Sequence, residues 1–306
     1  MISIVIPVYN KEAFIKNTIN SVLSQTYTQF EIILINDGST DKSLAIIESF
    51  EDNRIKVLTI PNSGVSVARN TGVEMAIYNY IAFLDADDFW APSFLEEMAS
   101  LITKYPGNNV FGSGRSTILN NVVRKYNNSF LPEEGKEGII DYIQIISSNL
   151  PPINSSNVVI SKQSLFKAGL FKEGQKHHED HDLWLRICAH ELIVFYNKNL
   201  SFYRKGISNS ASRQLYLAED FLLYLKTILK VKGEISAAQK PYFEKYYDRY
   251  ILISIIKFQK DYTREETKAI MNEVKQIVSP VYLIIIKIVL LLPSKGLYNM
   301  INYFRK

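Results

Sequence analysis

Residues 80–88 read Tyr-Ile-Ala-Phe-Leu-Asp-Ala-Asp-Asp, an apolar run that ends in three carboxylates. The apolar part is typical of a strand buried on both faces. Carboxylates crowded at its end, Asp85, Asp87 and Asp88, repel one another and resist burial. Mg²⁺ or Mn²⁺ bound to a phosphate would compensate them, because these cations take few protein carboxylates and complete their shell with phosphate and water. The alternative is a solvated turn with Asp88 near the N-terminus of the next helix.

The segments around this run alternate between strand and helix patterns. Apolar runs predict four strands, at residues 2–8, 30–35, 54–60 and 81–84. Between them, apolar residues recur at helical spacing. This order predicts an α/β fold with a mostly parallel, doubly wound sheet and helices on both faces. Ligands bind at the carboxyl ends of such strands, and polar residues follow these strands at that edge.

Composition and charge divide the 306 residues into two parts. Apolar content of 47% allows a substantial core. The single cysteine, Cys188, excludes a disulfide framework and a cysteine-rich zinc site, and it suits a reducing cytoplasm. Residues 1–212 carry 19 Lys and Arg against 22 Asp and Glu, whereas residues 213–306 carry 16 against nine. We therefore expect a catalytic or binding domain over 1–212 and a basic helical region over 213–306.

Two further strand ends carry candidate ligand-binding side chains. Asp37 follows the second strand, where its carboxylate can accept hydrogen bonds from a nucleobase; an Asx turn into the next helix is the alternative. Arg69 lies on a helix that begins near the same sheet edge and can pair with a diphosphate; a surface ion pair is the alternative. Neither a P-loop nor a dinucleotide-binding glycine pattern is present.

Residues 177–184 read His-His-Glu-Asp-His-Asp-Leu-Trp at the start of a predicted helix. The spacing differs from the His-Glu-x-x-His pattern of zinc hydrolases. Glu179 and Asp180 are candidates for a general base that takes a proton from an acceptor hydroxyl. The alternative is that these carboxylates only complement the helix dipole.

The basic tail ends in an apolar helix. Residues 281–292 are apolar except for Lys287 and Tyr282, which is too short for the roughly 20 residues that span a bilayer. An apolar helix beside Arg305 and Lys306 favours a membrane-interface position near anionic head groups. The alternatives are a core helix and a homo-oligomer interface.

Taken in order, these segments resemble glycosyltransferase family 2. The resemblance covers roughly residues 1–212 and rests on SIVIPVYN (3–10), SVLSQTY (21–27), FEIILINDGSTD (30–41), ARNTG (68–72), FLDADD (83–88) and EDHDLWLR (179–186). It implies a GT-A fold, which is Rossmann-like with flanking helices. It also implies an inverting mechanism, a nucleotide-diphospho-sugar donor, commonly a UDP-sugar, and Mn²⁺ or Mg²⁺ bound through a DXD motif.

The resemblance also implies roles for the matching positions. On the donor side Pro7, Val8 and Tyr9 line the base pocket, Asp37 holds the base edge, Arg69 assists donor binding, Asp85 touches the ribose or sugar with Ala86 beside it, and Asp87 binds the metal. On the acceptor side Asp180 is the catalytic base, and Glu179 supports the base or the acceptor. Many members carry a histidine shortly after a Tyr-Arg strand end, but residues 203–208 contain none, so no second metal ligand is assigned.

These features predict a transferase that moves a sugar to a hydroxyl of a cell-surface glycan or lipid-linked glycan precursor. It is expected in the cytoplasm, with its helical tail docked on the inner face of the cytoplasmic membrane or on a protein partner. The alternative is a non-catalytic nucleotide-sugar-binding scaffold of a polysaccharide assembly complex. A nucleotidyltransferase would need a Gly-rich basic loop after the first strand, and residues 7–10 do not supply one. Nucleic-acid binding is not expected, because the positive charge lies in a helical tail without a recognisable module.

Overall fold

The computed structural model describes residues 1–120, 122–148, 150–207, 217–258 and 261–291. The chain divides into two compact units. Unit 1 comprises residues 1–142 and 151–210, and unit 2 comprises residues 143–150 and 211–306. The predicted domain boundary at residue 212 lies outside the described residues and stays a prediction.

Strands and helices alternate from Ile2 to Phe83, and the described residues from there to Arg204 include consecutive strands as well as helices. In chain order they are β1 (Ile2–Val8), α1 (Ile15–Leu23), β2 (Phe30–Asp37), α2 (Ser43–Glu48), β3 (Ile55–Ile60), α3 (Val65–Met75), β4 (Tyr80–Phe83), β5 (Phe89–Trp90), α4 (Phe94–Lys104), β6 (Val110–Leu119), β7 (Val122–Lys125), β8 (Glu137–Ile140), α5 (Tyr142–Ile146), β9 (Val158–Ser161), α6 (Lys162–Ala168), α7 (Glu179–Cys188) and β10 (Ile193–Arg204).

The strands form one mixed ten-stranded sheet in the order β3-β2-β1-β4-β9-β6-β10-β5, with β7 on β6 and β8 on β10. The first four strands are parallel, with Val5 opposite Ile33 on one side and Phe83 on the other. This α/β sheet with flanking helices confirms the predicted fold class. The parallel order ends at β9, which runs antiparallel to both β4 and β6. The carboxyl end of β4 therefore lies between β1 and an antiparallel neighbour.

Close packing fixes α3 against β1. The β1 and β2 side chains are buried almost without exception, as expected for strands covered on both faces. Gly72 of α3 faces Val5 of β1, and a Cβ at Gly72 would overlap the Val5 Cγ1 atom. This close approach holds the helix that carries Arg69 against the central strand.

Unit 2 is helical, as predicted for the C-terminal extension. It includes most of α5 and, in the described residues after 216, the helices α8 (Ala218–Lys232), α9 (Lys240–Phe258), α10 (Arg264–Ile277) and α11 (Pro280–Leu291). A capping box between Thr263 and Glu266 starts α10, and the Tyr224 and Tyr246 hydroxyls lie 2.6 Å apart between α8 and α9. No helix within the described ranges is long and apolar enough to cross a membrane.

Candidate active site

The three carboxylates after β4 have three different partners. Asp85 Oδ1 accepts a hydrogen bond from Arg69 Nη2 at 2.7 Å, and Asp87 Oδ2 pairs with Lys11 Nζ at 2.5 Å. Asp88 is fully buried and accepts hydrogen bonds from Ser156 Oγ at 2.6 Å and from the Arg204 backbone N–H at 3.0 Å. Asp88 is thus an internal anchor, and its alternative reading as part of a solvated turn is wrong.

Negative charge at this strand end is incompletely compensated. Burial raises the pKa of Asp87, and the charge of Asp85 raises it further against the opposing effect of Lys11. Burial and the neighbouring charges of Asp85 and Asp87 raise the pKa of Asp88 well above its ordinary value. A carboxylate with a raised pKa is one whose ionised form lacks sufficient stabilisation. The site therefore favours an added cation.

Asp87 suits one position in the shell of a hard cation. No group of three or more His, Cys, Asp and Glu side chains in the described part of the chain is arranged to hold a metal. Mg²⁺ commonly binds through one or two carboxylates together with substrate phosphates and water. The residues present fit that mode, provided that Lys11 releases Asp87, and they do not fit a cage made by protein alone.

Asp37 is held by backbone groups on the far side of the same edge. Its carboxylate oxygens accept hydrogen bonds from the N–H groups of Ser63 at 2.6 Å and Gly64 at 2.9 Å, immediately before α3 begins. The Asx turn that was the alternative for Asp37 is not formed, because both Asp37 oxygens accept from these two N–H groups and the Ser39 N–H donates instead to Oδ1 of Asn36 at 3.2 Å. Asp37 therefore ties the end of β2 to the start of the helix that carries Arg69.

The other predicted donor residues differ in exposure. Tyr9 is exposed, Pro7 is partly exposed, and the side chains of Val8 and Ala86 lie in the hydrophobic core. Val8 and Ala86 can therefore reach a ligand through their backbone only. The base-pocket and donor roles of these four positions stay predictions.

Arg69 joins the strand end to the start of α7. Its side chain is 4% exposed, and it donates to Asp85 through Nη2 at 2.7 Å and to Glu179 through Nη1 at 2.9 Å. The guanidinium carbon of Arg69 also lies over the Phe171 ring, 5.1 Å from the ring centroid. The surface ion pair that was the alternative for Arg69 is wrong, because the guanidinium is buried between the end of β4 and the start of α7.

Glu179 and Asp180 are adjacent, but their environments shift their pKa values in opposite directions. Burial and the charge of Asp180 raise the pKa of Glu179 to about 7, against the effect of Arg69. Burial also opposes ionisation of Asp180, but His181 and Arg69 outweigh it and hold the pKa of Asp180 below its ordinary value. Asp180 is the carboxylate of the pair that is ionised at neutral pH, and its side chain is 20% exposed.

Asp182, the third carboxylate at the start of α7, has a structural role. It is fully buried and pairs with Lys172 at 2.9 Å and with Arg186 Nε at 2.7 Å. Arg186 also donates to the carbonyl oxygens of Ala168 and Leu170 after α6. This network fixes the first turn of α7, from which Asp180 projects.

The sequence reasoning did not single out Lys11, Arg115 or Ser156. Lys11 comes directly after the Tyr9-Asn10 strand end, so its position at the ligand edge was readable from the sequence. Ser156 just before β9, and Arg115 of β6, whose charge acts on Asp180, gave no such signal, because their places depend on the strand order β4-β9-β6.

Comparisons of sequence agree with this geometry. A family model described as glycosyl transferase family 2 matches residues 3–169. An uncharacterized glycosyltransferase of Haemophilus influenzae is 33% identical over 241 residues, which cover 74% of this chain and 88% of that protein. The Escherichia coli protein named UDP-Glc:alpha-D-GlcNAc-diphosphoundecaprenol beta-1,3-glucosyltransferase WfgD is 32% identical over 265 residues, covering 86% of this chain and 96% of WfgD.

A solved structure shares the fold. The crystal structure of S. aureus TarS 1-349 in complex with UDP-GlcNAc superposes with a TM-score of 0.76 and covers 90% of this chain and 81% of that one. The sequence identity is 21%, so the likeness concerns the fold alone.

Proposed function

The chain belongs to glycosyltransferase family 2, and on that premise we propose that it transfers a sugar, with inversion, from a UDP-sugar to a hydroxyl of a lipid-linked glycan precursor. One contact carries the proposal: Arg69 binds both Asp85 at the end of β4 and Glu179 at the start of α7. A donor at the sheet edge and a base at the helix start thereby belong to one site. We assign transfer to residues 1–212 and docking to residues 213–306.

The donor side follows from the charges at the sheet edge. Asp37 would accept from the nucleobase, and Asp85 would contact the ribose or the sugar. Asp87 would hold Mn²⁺ or Mg²⁺, which when bound offsets the charge of the departing diphosphate. The raised pKa of Asp87 supports this assignment, because it marks a carboxylate that gains from an added cation.

The acceptor side follows from the opposite pKa shifts of Glu179 and Asp180. Asp180 is ionised and partly exposed, so it can take the proton of the acceptor hydroxyl. The oxygen then attacks the anomeric carbon while the bond from that carbon to the UDP oxygen breaks. Glu179 is bound to Arg69 and positions the helix start.

The relatives support the choice of substrates. WfgD is named for a UDP-Glc donor and a diphosphoundecaprenol-linked acceptor, and the TarS structure holds UDP-GlcNAc. We propose a UDP-hexose or UDP-N-acetylhexosamine as donor and a lipid-diphosphate-linked glycan as acceptor, met at the inner face of the cytoplasmic membrane.

The first test is a panel of nucleotide sugars incubated with the purified protein and Mn²⁺. We expect one UDP-sugar to bind and to release UDP slowly in the absence of acceptor. Asp180→Asn should bind the same donor without releasing UDP. If no nucleotide sugar binds, the transferase proposal is wrong; if one binds but is neither hydrolysed nor transferred, the scaffold function is favoured.

We also propose that unit 2 contacts an anionic membrane through α11. Four apolar side chains at a 3-4-3 spacing lie exposed on one face of this helix: Val281, Ile284, Ile288 and Leu291, the last 85% exposed. The opposite face is buried through Ile286 and Val289. After Glu273 the sequence has no further acidic residue and five basic ones, so lipid head groups complement it better than a second copy does.

Vesicle sedimentation tests this surface. The full chain should bind phosphatidylglycerol vesicles at low salt, bind phosphatidylcholine vesicles less, and lose binding when Ile284 and Ile288 are both changed to Gln. Ile77→Gln removes an equally exposed isoleucine elsewhere and should bind as the wild type does. If the double variant binds vesicles as the wild type does, this face of α11 is not the membrane contact. If the wild type is a dimer and the double variant is not, a second copy of the chain covers this face instead.

A further inference from the structure

Two histidines beside the proposed base form a contact that the transfer reaction described above does not use. His178 directly precedes α7 and has a left-handed backbone conformation, with φ of 59°. Its Nδ1 lies 3.3 Å from Nδ1 of His181, and the ring centroids are 5.1 Å apart. Because both atoms are imidazole nitrogens, this contact requires one Nδ1–H donor and one Nδ1 lone pair.

His181 also faces the carboxylate of Asp180. The backbone N–H of His181 donates to Asp180 Oδ1 at 2.7 Å, and the ring Nε2 lies 3.9 Å from the same oxygen. A movement of about 1 Å would bring Nε2 within hydrogen-bonding distance. Both side chains are partly exposed, at 28% for His181 and 20% for Asp180.

The two cations that act on Asp180 cannot take its proton. Arg69 from α3 and Arg115 from β6 interact with Asp180, and guanidinium groups have no free lone pair. Glu179 is a second carboxyl group, and its Oε1 accepts from Arg69. Of the groups that interact with Asp180 in the described residues, the imidazoles of His178 and His181 are bases strong enough to be protonated by a carboxylic acid.

We propose that the His178–His181 pair removes the proton that Asp180 takes from the acceptor hydroxyl, and so returns Asp180 to the carboxylate form. The inference rests on the proposed function of Asp180. In the first step the acceptor O–H bond breaks and a carboxyl O–H bond forms on Asp180. In the second step that O–H bond breaks and an N–H bond forms at Nε2 of His181, which becomes an imidazolium and donates through Nδ1–H to His178.

The titratable groups that act on Asp180 are Glu179 and the two imidazoles, and the cations are Arg69 and Arg115. His178 and His181 are positioning residues by this reasoning, because they act on the reaction only through Asp180.

Histidine NMR tests the pair without any substrate. The chain has four histidines, so ¹⁵N-histidine spectra of the full protein can be assigned with His178→Asn and His181→Gln. Asn is chosen at 178 because it tolerates the left-handed conformation. We expect His178→Asn to shift the Nδ1 resonance of His181, and Asp180→Asn to shift its Nε2 resonance. Resonances of His181 that neither substitution shifts would overturn the proposal.

The pH dependence of UDP release tests the proton transfer itself. The wild-type kcat should fall at acid pH as the pair becomes protonated, whereas His181→Gln should lose this acid limb and reach a plateau roughly tenfold lower, with an unchanged donor KM. His190→Gln, at the exposed far end of α7, is the matched control and should retain the wild-type profile. A wild-type kcat and acid limb in His181→Gln would overturn the relay. A wild-type protein that turns over no donor would overturn the proposed function instead, and the histidine spectra would still decide the pairing.

Discussion

The strand-end acids and the helix-start acids have the same division of labour. Each cluster contains three carboxylates, at residues 85, 87 and 88 in one and at 179, 180 and 182 in the other. In each, one carboxylate is fully buried in a structural network, Asp88 with Ser156 and Asp182 with Arg186. In each, another binds Arg69. The third carboxylate is the one left to act on a substrate.

The two clusters differ in how that third carboxylate is compensated. Asp87 has one ammonium partner, Lys11, and its pKa is raised because burial and Asp85 prevail. Asp180 lies at a helix N-terminus beside His181 and within reach of Arg69, and its pKa is lowered against the effect of burial. The negative charge at the strand end is therefore only partly compensated by nearby positive groups, whereas the negative charge of Asp180 at the helix start is well compensated.

This difference separates a cation-binding carboxylate from a proton-accepting one. A group with a raised pKa gains when a cation arrives, so Asp87 suits a metal-diphosphate complex. A group with a lowered pKa is a weaker base, but at neutral pH it is present in the ionised form that can accept a proton. Pairs of titratable groups whose pKa values are pushed apart are a general sign of an acid–base site.

The largest effect is expected at Asp180. Asp180→Asn keeps the shape of the side chain and an oxygen that can accept from the His181 N–H, but it removes the base. We expect kcat for UDP release to fall by about 10²- to 10⁴-fold while donor KM stays near the wild-type value. Initial rates over a range of donor concentrations measure both quantities. A variant with wild-type kcat would take the base away from the helix-start cluster.

The next effect is expected at Arg69, the residue common to both clusters. Arg69→Met leaves Asp85 and Glu179 without their shared partner, and breaking a buried pair costs about 3 to 5 kcal/mol of unfolding free energy. Urea unfolding at pH 7.5 measures this cost. The matched control is Arg54→Met, which removes a part-exposed pair with Asp52 and should cost less than about 1 kcal/mol. Equal costs would show that the two clusters are not joined through Arg69.

Much of the strand-end cluster could be predicted from the sequence, because the patterns that indicate it are local. The apolar run over β4 and the polar residues after it lie within nine consecutive residues, so both the strand and its ligand edge could be predicted. The strands β1 and β2, and the polar residues that follow them, could be predicted from local sequence in the same way. The partners of the acids could not be predicted in this way: Ser156 and Arg204 lie 68 and 116 residues from Asp88.

The antiparallel strands account for most of the site contacts that could not be predicted from the sequence. The insertion of β9 between β4 and β6 brings Ser156 under the strand end, and no local pattern in residues 151–161 indicates that order. The burial of Arg69 likewise depends on α7 docking 110 residues further along the chain. Roles carried by the family resemblance, such as those of Pro7 and Tyr9, stay predictions because the structure shows only their exposure.

A smaller effect is expected from Asp87→Asn, which tests the shortage of positive charge at the strand end. Added Mn²⁺ should tighten UDP binding to the wild type, and the variant should lose at least about tenfold of this gain, or about 1.4 kcal/mol. Titration calorimetry with UDP, with and without Mn²⁺, measures the difference. Asp52→Asn, far from the strand end in the ion pair with Arg54, serves as control. An unchanged Mn²⁺ effect in Asp87→Asn would remove Asp87 from metal binding.

The smallest effect is expected from Glu179→Gln, and it depends on pH. Burial and Asp180 raise the folded-state pKa of Glu179 to about 7 from an ordinary value of 4.5. Between these two values the folded protein holds a proton on Glu179 that the unfolded chain releases, so this group makes the free energy of unfolding decrease as pH rises from about 4.5 to 7. Gln resembles the protonated acid at every pH. We therefore expect the wild type and Glu179→Gln to have similar stability near pH 4.5 and the variant to be the more stable one above pH 7, as urea unfolding across that range would measure. A wild type that instead became more stable than Glu179→Gln as pH rises would show that the Arg69 charge outweighs burial and that Glu179 and Asp180 are both ionised.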